Sequence, residues 1–582
     1  MHAPVRTRPP GSVVLLVLAL LLMFGGGYWA ERVQTSNGEV EVRTVRFEAE
    51  DGRTMAAELY RPRTATADSP APGVLAVHGY INDKRTQSPY ATEYARRGYV
   101  VLALDQSGHG DSDPPAFAGG FGGPAGLSYL RSLPMVDPEQ IVLEGHSMGG
   151  WAVLIAAGQA PDDYASVVIS GASTGTFGAP EGTATFPRNL GLVYGRFDEF
   201  SELMWGAPIG AAITQTDKLA TLFDTDPPVE VGTIYGQIEE GTARWLAQPA
   251  TTHPANHITR VGIAPTLEWL QRTTTAPNPL PPDDQVWFQK EAGTTLTLLG
   301  LFVSLFALSG LWMRMPLLAG LRRDPEPAAG ADGLGWWIGA LMLMAVPTVA
   351  YFWLQNQAAE WLPNSARFPQ EITNGLVVWA LGSGAVALLG WLVWFLMTGI
   401  RAGAGGAGLG GGLFRSVLLA VLSVGTAYLA LWGVEALFGT DARFWVLGVD
   451  PLEAWQAQVA LPYLAAFAAF FLVLALVLHG QLRPRERTSM AAAVIGNGVL
   501  MAAGMAALLL IQYVPLLSGH PLPFGEPLLT IVAFQIVVLL PLAGMLSTYL
   551  FRLTGRVWAG AFTSALFVTW YIVASQATHV AS

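Results

Sequence analysis

The distribution of apolar residues divides the chain into two parts with different patterns. In the first part of the chain, short apolar runs of strand length, such as those at 73–77, 100–104 and 141–143, are interspersed with predicted helices, such as 151–157, which is typical of an α/β domain. From about residue 292 onward the apolar runs become long enough to cross a bilayer, for which a helix needs roughly twenty residues. The sequence therefore predicts an α/β domain followed by an all-α polytopic transmembrane bundle.

Nine apolar segments are predicted to span the membrane. Eight of them follow the α/β domain, near residues 292–313, 334–354, 375–398, 416–436, 459–479, 490–514, 527–549 and 557–576. The ninth, about 12–30, precedes the domain and has a poor cleavage pattern, because the bulky Tyr28 stands where a small residue belongs. We therefore predict a retained signal anchor after a cytoplasmic tail of residues 1–11, rather than a cleaved signal peptide.

The placement of arginine predicts the orientation of these spans. With the N-terminus inside, the inside segments hold twelve arginines and the short outside loops hold two, as the positive-inside rule requires. The inside residues are Arg6, Arg8, Arg314, Arg322, Arg323, Arg401, Arg415, Arg483, Arg485, Arg487, Arg552 and Arg556, and the outside residues are Arg367 and Arg443. The sequence thus predicts a multi-pass plasma-membrane protein whose α/β domain, residues 31–275, is extracytoplasmic. A Pro-rich linker, 276–291, connects this domain to the membrane domain, 292–582.

Composition and charge exclude several functional classes. The chain is 52% hydrophobic and only 13% charged, which is too apolar for a soluble enzyme of 582 residues. Its net charge of −11 provides no basic surface for nucleic acid, and the lack of cysteine excludes metal–thiolate sites. The predicted spans carry no ionisable residue near mid-bilayer, which argues against an ion-coupled transporter.

The strongest chemical signal lies between Ile141 and Gly150. The apolar residues Ile141 to Leu143 predict a strand, Gly145-His-Ser-Met-Gly149 predicts a tight turn, and residues 151–157 predict a helix. A strand–turn–helix context of this kind is that of a nucleophile elbow, in which the turn raises a serine hydroxyl above the sheet. We therefore predict Ser147 as a catalytic nucleophile, and the alternative is a Gly-rich turn without chemistry.

Two segments upstream of the elbow carry a family resemblance. The run Gly73–Val77 ends in His78-Gly79, and Val100–Leu104 leads into Asp105-Gln-Ser-Gly-His-Gly-Asp-Ser112. With the elbow, these motifs resemble the α/β-hydrolase superfamily over about residues 40–275. The resemblance implies a mostly parallel sheet with helices on both faces and a serine hydrolase activity. It further implies an oxyanion hole formed by the backbone N–H groups of Tyr80 and Met148.

The resemblance also implies a catalytic acid after the seventh strand. Val229–Gly236 is predicted to be that strand, and the family places its acid about three residues beyond such a glycine. Glu239 is therefore the predicted acid, and Glu240 is the alternative. Less favoured candidates are Asp224 and Asp226. Residues 172–228 lack a clear alternation and are predicted to be an insertion that roofs the site.

A catalytic base is expected in the loop after the eighth strand, which is predicted at Ala243–Gln248. This loop contains both His253 and His257. The family's base lies roughly sixteen residues before an aromatic residue of the last helix, and Trp269 fits that position, which favours His253. His257 stays an alternative because it lies at the start of the helix.

Together these residues predict acyl transfer without a metal or other cofactor. Because one span is enough for tethering, eight further helices indicate a substrate that resides in the membrane, such as an acyl lipid, a lipoprotein or a lipid-linked ester. The layout of anchor helix, outer lipase-like domain and helical bundle loosely resembles that of GPI-inositol deacylases. Two alternatives are a membrane-bound serine peptidase and a transporter or sensor whose hydrolase-like domain only binds its ligand.

Overall fold

The computed structural model describes residues 10–325, 330–331, 333–399, 411–483 and 488–580. The predicted cytoplasmic tail falls almost entirely outside these ranges. Five arginines of the orientation argument also lie outside them, namely Arg6, Arg8, Arg401, Arg485 and Arg487.

A nine-stranded sheet forms the centre of the first domain. Its strands are β1 Val40–Glu48, β2 Thr54–Pro62, β3 Ala71–Val77, β4 Val100–Leu104, β5 Val136–His146, β6 Ser166–Ser170, β7 Leu190–Val193, β8 Ile234–Tyr235 and β9 Arg244–Ala247. They are arranged in the order β1-β2-β4-β3-β5-β6-β7-β9-β8. The six strands from β4 to β9 in this order are parallel, whereas β1, β2 and β8 are antiparallel at the edges. The predicted mostly parallel sheet is confirmed.

Helices cover both faces of this sheet. The helices of the first part of the chain are α1 Pro10–Gln34, α2 Ser88–Arg96, α3 Gly123–Ser132, α4 Met148–Gln159, α5 Ser201–Trp205, α6 Asp217–Phe223 and α7 Arg260–Thr273. Apolar side chains of α3 and α4 pack against one face, and those of α2 and α7 pack against the other. Strands β3, β4 and β6 are buried along their whole length because parallel strands are covered on both sides.

The structure corrects the predicted order of strands in the second half of the sheet. The segment Val229–Gly236, predicted as the seventh strand, contributes only the two-residue edge strand β8. The seventh strand is instead β7, which lies inside the predicted insertion 172–228. All four residues of β7 are buried between parallel neighbours, so the strand shows no alternation of apolar and polar positions.

The described residues that follow the α/β domain form a helical bundle with a small hairpin. Its helices are α8 Trp287–Trp312, α9 Pro316–Ala319, α10 Gly333–Val349, α11 Tyr351–Asn356, α12 Ala358–Trp361, α13 Glu371–Trp394, α14 Leu413–Phe438, α15 Ala454–Leu476, α16 Met490–Leu517, α17 Pro527–Thr554 and α18 Val557–Ser575. The hairpin strands are β10 Ala442–Phe444 and β11 Leu447–Val449.

Among the described residues, eight helices are long and apolar enough to cross a membrane. A ninth span results if the helices Gly333–Val349 and Tyr351–Trp361, which are bent by 51° at their junction, are counted as one. These nine segments correspond to the nine predicted from the sequence. Helix α8 begins at Trp287, inside the segment 276–291 that was predicted to be a linker.

Helix α1 packs directly against α8. A Cβ atom on Gly26 would lie 2.5 Å from the carbonyl oxygen of Gly293, and one on Gly300 would lie 2.6 Å from that of Ala19. These glycines allow the two backbones to approach closely, as small residues do between membrane helices. Because α1 leads into the α/β domain and α8 leads out of it, the domain is inserted between two adjacent helices.

Ion pairs between buried arginines and half-buried carboxylates join the α/β domain to one end of the bundle. The guanidinium of Arg85 in the domain contacts Asp450 and Glu435. In a second contact the bundle supplies the cation: Arg443 of β10 lies 2.6 Å from the carboxylate of Asp83, which precedes α2 in the domain. The domain therefore contacts the end of the bundle that carries the β10–β11 hairpin.

Candidate active site

Ser147 occupies a sharp turn between β5 and α4, with φ 54° and ψ −123°. This positive φ is a strained conformation for a residue other than glycine, and it is the conformation of a nucleophile elbow. The glycines on either side have no room for a side chain. A Cβ on Gly145 would lie 2.3 Å from the carbonyl oxygen of Gly149, and one on Gly149 would lie 2.0 Å from that of Val77.

The two residues predicted to form the oxyanion hole lie beside Ser147. A Cβ on Gly79 would lie 3.0 Å from the Cβ of Ser147, so the backbone leading to Tyr80 passes next to the elbow. Met148 is the first residue of α4, and amides in the first turn of a helix have no acceptor within that helix. Tyr80, Met148 and Ser147 all line the same cavity.

The side chain of His253 is paired with a carboxylate. Its Nδ1 lies 2.9 Å from Oδ2 of Asp198, and both side chains are buried. Burial by itself lowers the pKa of His253, but the charge of Asp198 and the hydrogen bond to it outweigh that effect and raise the pKa above its ordinary value. Because Nδ1–H donates to the carboxylate, Nε2 is the nitrogen that accepts a proton.

Asp198 was not among the predicted acids, although the sequence carries a signal for it. It follows β7 in the stretch Gly195-Arg-Phe-Asp198, three residues beyond a glycine, which is the spacing that was applied to Gly236. Glu239 and Glu240 are exposed between β8 and β9, and the carboxylate beside the histidine is that of Asp198 instead. Also exposed are Asp224 and Asp226.

His257 has a different environment from His253. Its Nε2 lies 3.1 Å from the amide oxygen of Gln87, so its partner carries no charge. Its ring centroid is 3.9 Å from that of the buried His146. Burial lowers the pKa of His257 to about 3, so this residue stays neutral at physiological pH. His257 lines the cavity together with His253 and Ser147.

A second buried carboxylate, Glu199, lies next to the His253–Asp198 pair and was not foreseen from the sequence. One of its oxygens accepts a 2.6 Å hydrogen bond from the backbone N–H of His253. Its other oxygen accepts a 2.7 Å hydrogen bond from the hydroxyl of Tyr513 on α16. Burial, and then the charge of Asp198, raise the pKa of Glu199 to about 7.

These groups open into a cavity of about 820 Å³ between the α/β domain and the bundle. The apolar residues that line it from the α/β domain include Phe121, Trp151, Ile155, Phe177, Leu203 and Met204. Those from the bundle are Trp445, Val446, Leu528 and Ile531. The one acidic side chain that lines it, within the part of the chain that is described, is Glu371. The described ranges contain no group of three or more His, Cys, Asp or Glu residues arranged to hold a metal ion.

A family comparison agrees with this geometry. Residues 68–198 match the family model described as serine aminopeptidase, S33, which covers β3 to Asp198 and includes the elbow. The domain has the α/β-hydrolase fold. In this α/β-hydrolase domain Ser147 follows β5, Asp198 follows β7 and His253 follows β9.

Curated relatives of the chain include a lipase. It is 31% identical over 141 residues to the quorum-quenching protein AidA of Acinetobacter baumannii, a match that covers 22% of this chain and 42% of that protein. It is 27% identical over 194 residues to the monoacylglycerol lipase of Mycolicibacterium smegmatis, covering 31% and 63% respectively. The chain thus covers less than two thirds of each of these relatives. Among solved structures, the esterase Pf2001 of Pyrococcus furiosus is 18% identical, with 41% of this chain and 96% of the esterase covered and a TM-score of 0.27.

Proposed function

We propose that this protein is a membrane-embedded serine hydrolase that cleaves acyl esters of lipids or lipid-linked substrates at the outer face of the plasma membrane. The observation that carries the proposal is the arrangement of Ser147 and the His253–Asp198 pair on one largely apolar cavity shared by the hydrolase domain and the bundle. The strained elbow at Ser147 and the carboxylate-paired histidine are the parts that nucleophilic acyl transfer requires.

The proposed reaction begins when the Ser147 hydroxyl attacks the ester carbonyl and Nε2 of His253 takes its proton. Asp198 fixes the tautomer of His253 and stabilises the imidazolium that forms. The N–H groups of Tyr80 and Met148 hold the negative oxygen, at roughly 2.7–4 kcal/mol for each donor. His253 then protonates the leaving alcohol, and a water molecule releases the acyl group from Ser147 by the same steps.

The apolar walls of the cavity support a substrate with a hydrocarbon chain. Burial of such a chain is favourable by about 0.8 kcal/mol for each methylene group. Leu528 and Ile531 lie in the first turns of α17, one of the helices long enough to span a membrane. A lipid ester at the surface of the bilayer therefore has a short path to Ser147.

The contacts of the hydrolase domain support the proposed orientation. The domain pairs with Arg443 and Asp450, which lie in a loop predicted to be outside. At the other end of α17, the amide of Arg323, predicted to be inside, donates a 3.3 Å hydrogen bond to the carbonyl of Leu553. The domain and the arginine-rich loops thus lie at opposite ends of this helix.

An aminopeptidase activity is the second candidate, because the matching family model is described as serine aminopeptidase. Such an enzyme needs a negative group for the amino terminus of its substrate. Glu371, on the cavity wall, is the side chain that fits this role. If aminoacyl naphthylamides are cleaved in preference to esters, and Glu371→Gln abolishes this cleavage, the protein is a peptidase.

The proposal is tested with the purified full-length protein in detergent micelles. A fluorophosphonate should label the wild type, Ser147→Ala should not be labelled, and the exposed Ser132→Ala should be labelled like the wild type. A series of p-nitrophenyl esters should show higher kcat/KM for long acyl chains than for acetate. If Ser147→Ala is labelled as well, or if acetate is the best substrate, the proposal is wrong.

A further inference from the structure

Helix α16 of the bundle is connected by hydrogen bonds to the backbone of the proposed catalytic base. The hydroxyl of Tyr513 donates to one oxygen of Glu199 at 2.7 Å, and the other oxygen of Glu199 accepts from the backbone N–H of His253 at 2.6 Å. Glu199 directly follows Asp198 in the chain. The ring of His253 is therefore held by Asp198 and its backbone by Glu199, and Tyr513 holds Glu199.

Two more hydrogen bonds connect the bundle to loops of the site. The indole N–H of Trp445, from the β10–β11 hairpin, donates to the carbonyl of Pro254 at 2.8 Å. The hydroxyl of Tyr80, whose backbone N–H belongs to the proposed oxyanion hole, lies 2.7 Å from Nε2 of His579, beyond the end of α18. The loops that carry Asp198, His253 and Tyr80 thus each have a polar contact with the bundle.

We infer that the membrane bundle completes the active site by positioning the catalytic histidine through Tyr513 and Glu199. This inference rests on the proposed serine hydrolase function. It gives the bundle a role in catalysis, whereas a single helix would be enough to anchor the domain. Tyr513 and Glu199 are positioning residues, because they act through His253 and not on the substrate.

The hydrogen-bonded connection from Tyr513 through Glu199 to the backbone of His253, here called the bridge, should affect the rate of ester cleavage. Without the Tyr513 hydroxyl, one oxygen of the buried Glu199 loses its donor, and a buried carboxylate without its hydrogen bonds is unstable. Glu199 must then rotate or take up a proton, and the backbone of His253 is no longer fixed. A displacement of about 1 Å at a catalytic group can lower the rate by about 100-fold.

A charge effect distinguishes this role from simple support of the fold. The ionisable groups that face His253 and Glu199 are Asp198, His146, His257, Tyr194 and Tyr513. The ionised form of Glu199 helps to raise the pKa of His253, and the hydrogen bond from Tyr513 favours that ionised form. Loss of the hydroxyl therefore lowers the pKa of His253, and the acidic limb of the kcat/KM profile should move to lower pH. A purely structural defect would lower the profile without moving this limb.

The test compares Tyr513→Phe with Tyr549→Phe in the full-length protein. Tyr549 lies on α17, 21 residues beyond Leu528 and therefore roughly 30 Å along the helix from the cavity. We expect Tyr513→Phe to slow fluorophosphonate labelling of Ser147 and ester turnover by about 10- to 100-fold. Tyr549→Phe should behave like the wild type.

Two further variants keep the test decisive if Tyr513→Phe does not fold. Glu199→Gln retains the shape of the bridge but not its charge, so it should move the acidic limb to lower pH with a smaller loss of rate. Trp445→Phe should slow labelling, whereas Trp379→Phe, which removes an indole hydrogen bond to Pro347 inside the bundle, should not.

The outcomes separate this inference from the proposed function. If the wild type is labelled at Ser147 but Tyr513→Phe, Glu199→Gln and Trp445→Phe match their controls in rate and pH profile, the inference is overturned and the hydrolase function stands. If the wild type is not labelled at Ser147, the proposed function fails, and this inference fails with it.

Discussion

His253 and Asp198, whose Nδ1 and Oδ2 atoms are 2.9 Å apart, follow two neighbouring parallel strands of the sheet. The carboxyl ends of β7 and β9 meet at one edge, which is where open α/β sheets place their ligands and reacting groups. The pairing of these side chains is therefore a consequence of strand order. It holds across 55 residues of sequence.

Asp198→Asn should lower kcat by about 10⁴-fold, because an amide cannot hold His253 in the tautomer that accepts a proton at Nε2. Glu239→Gln, which changes an exposed carboxylate between β8 and β9, is the matched control and should retain full activity. The measurement is turnover of a p-nitrophenyl ester under saturating conditions. If the two variants exchange these effects, the acid is the one first predicted from the sequence.

His253→Ala should abolish labelling of Ser147. His257→Ala should retain most of the labelling, because the ring of His257 is hydrogen-bonded to an uncharged amide.

The pKa of His253 is raised, and the base must be neutral to accept a proton. Activity should therefore be lost as the pH falls through a value above about 6.5, the ordinary pKa of histidine. A wild-type acidic limb well below this value would contradict the assignment of His253.

The elbow at Ser147 and the histidine His253 of this candidate site were predicted from the sequence, and Asp198 was not. The elbow around Ser147 is encoded within ten residues, and Trp269 marks the distance back to His253. Asp198 is not predictable from the apolar pattern, because β7 is only four residues long and fully buried. The sequence of β7 therefore resembles part of an irregular insertion. The carboxylate beside His253 is therefore the one three residues beyond Gly195, and not the one three residues beyond Gly236.

Contacts between the domains were also beyond sequence reasoning. Glu199 and Tyr513 are 314 residues apart, and neither lies in a motif that suggests a partner. Lengths of apolar runs predicted where the long apolar helices lie, because a helix that crosses a bilayer needs roughly twenty residues. The bend between α10 and α11 was missed, although Pro347, which removes a backbone hydrogen bond, lies just before it.

Gly171→Ala should impair catalysis without preventing folding. Gly171 follows β6 with a φ of 59°, and a Cβ there would lie 2.9 Å from Nδ1 of His253 and 3.2 Å from Oδ2 of Asp198. The added methyl group therefore pushes the pair apart. Gly206→Ala is the control for backbone strain, because Gly206 has a similar φ of 68° and open space around it. Equal activity losses in both variants would attribute the effect to strain alone.

Ile531→Trp should shorten the range of accepted acyl chains. Ile531 lies on the wall that the bundle contributes to the cavity, so a larger side chain takes space from the substrate. We expect kcat/KM for long-chain esters to fall by at least 10-fold and that for short-chain esters to change little, since each lost methylene contact is worth about 0.8 kcal/mol. Leu510→Trp, an exposed position on α16, is the control. Equal loss for all chain lengths would argue against a chain-binding wall.

Arg443→Ala should destabilise the junction between the hydrolase domain and the bundle. Its guanidinium lies 2.6 Å from Asp83 and 2.5 Å from the fully buried Asp441. Removal of the guanidinium leaves the buried Asp441 with the more distant Lys290, 3.8 Å away, as its partner, and breaking a buried pair costs about 3–5 kcal/mol. Arg46→Ala removes an exposed pair with Glu453 and should cost less than about 1 kcal/mol. Thermal unfolding in detergent compares the two, and similar midpoints would contradict the prediction.

The glycine contacts between α1 and α8 restrict how the hydrolase domain moves. Because the chain enters the domain from one helix and returns through its direct neighbour, both connections are fixed to the same place on the bundle. The domain is therefore attached to the bundle at both of its ends, through two helices that meet at Gly26 and Gly293. We therefore expect side chains and short loops around the cavity, rather than the domain as a whole, to move when a substrate enters.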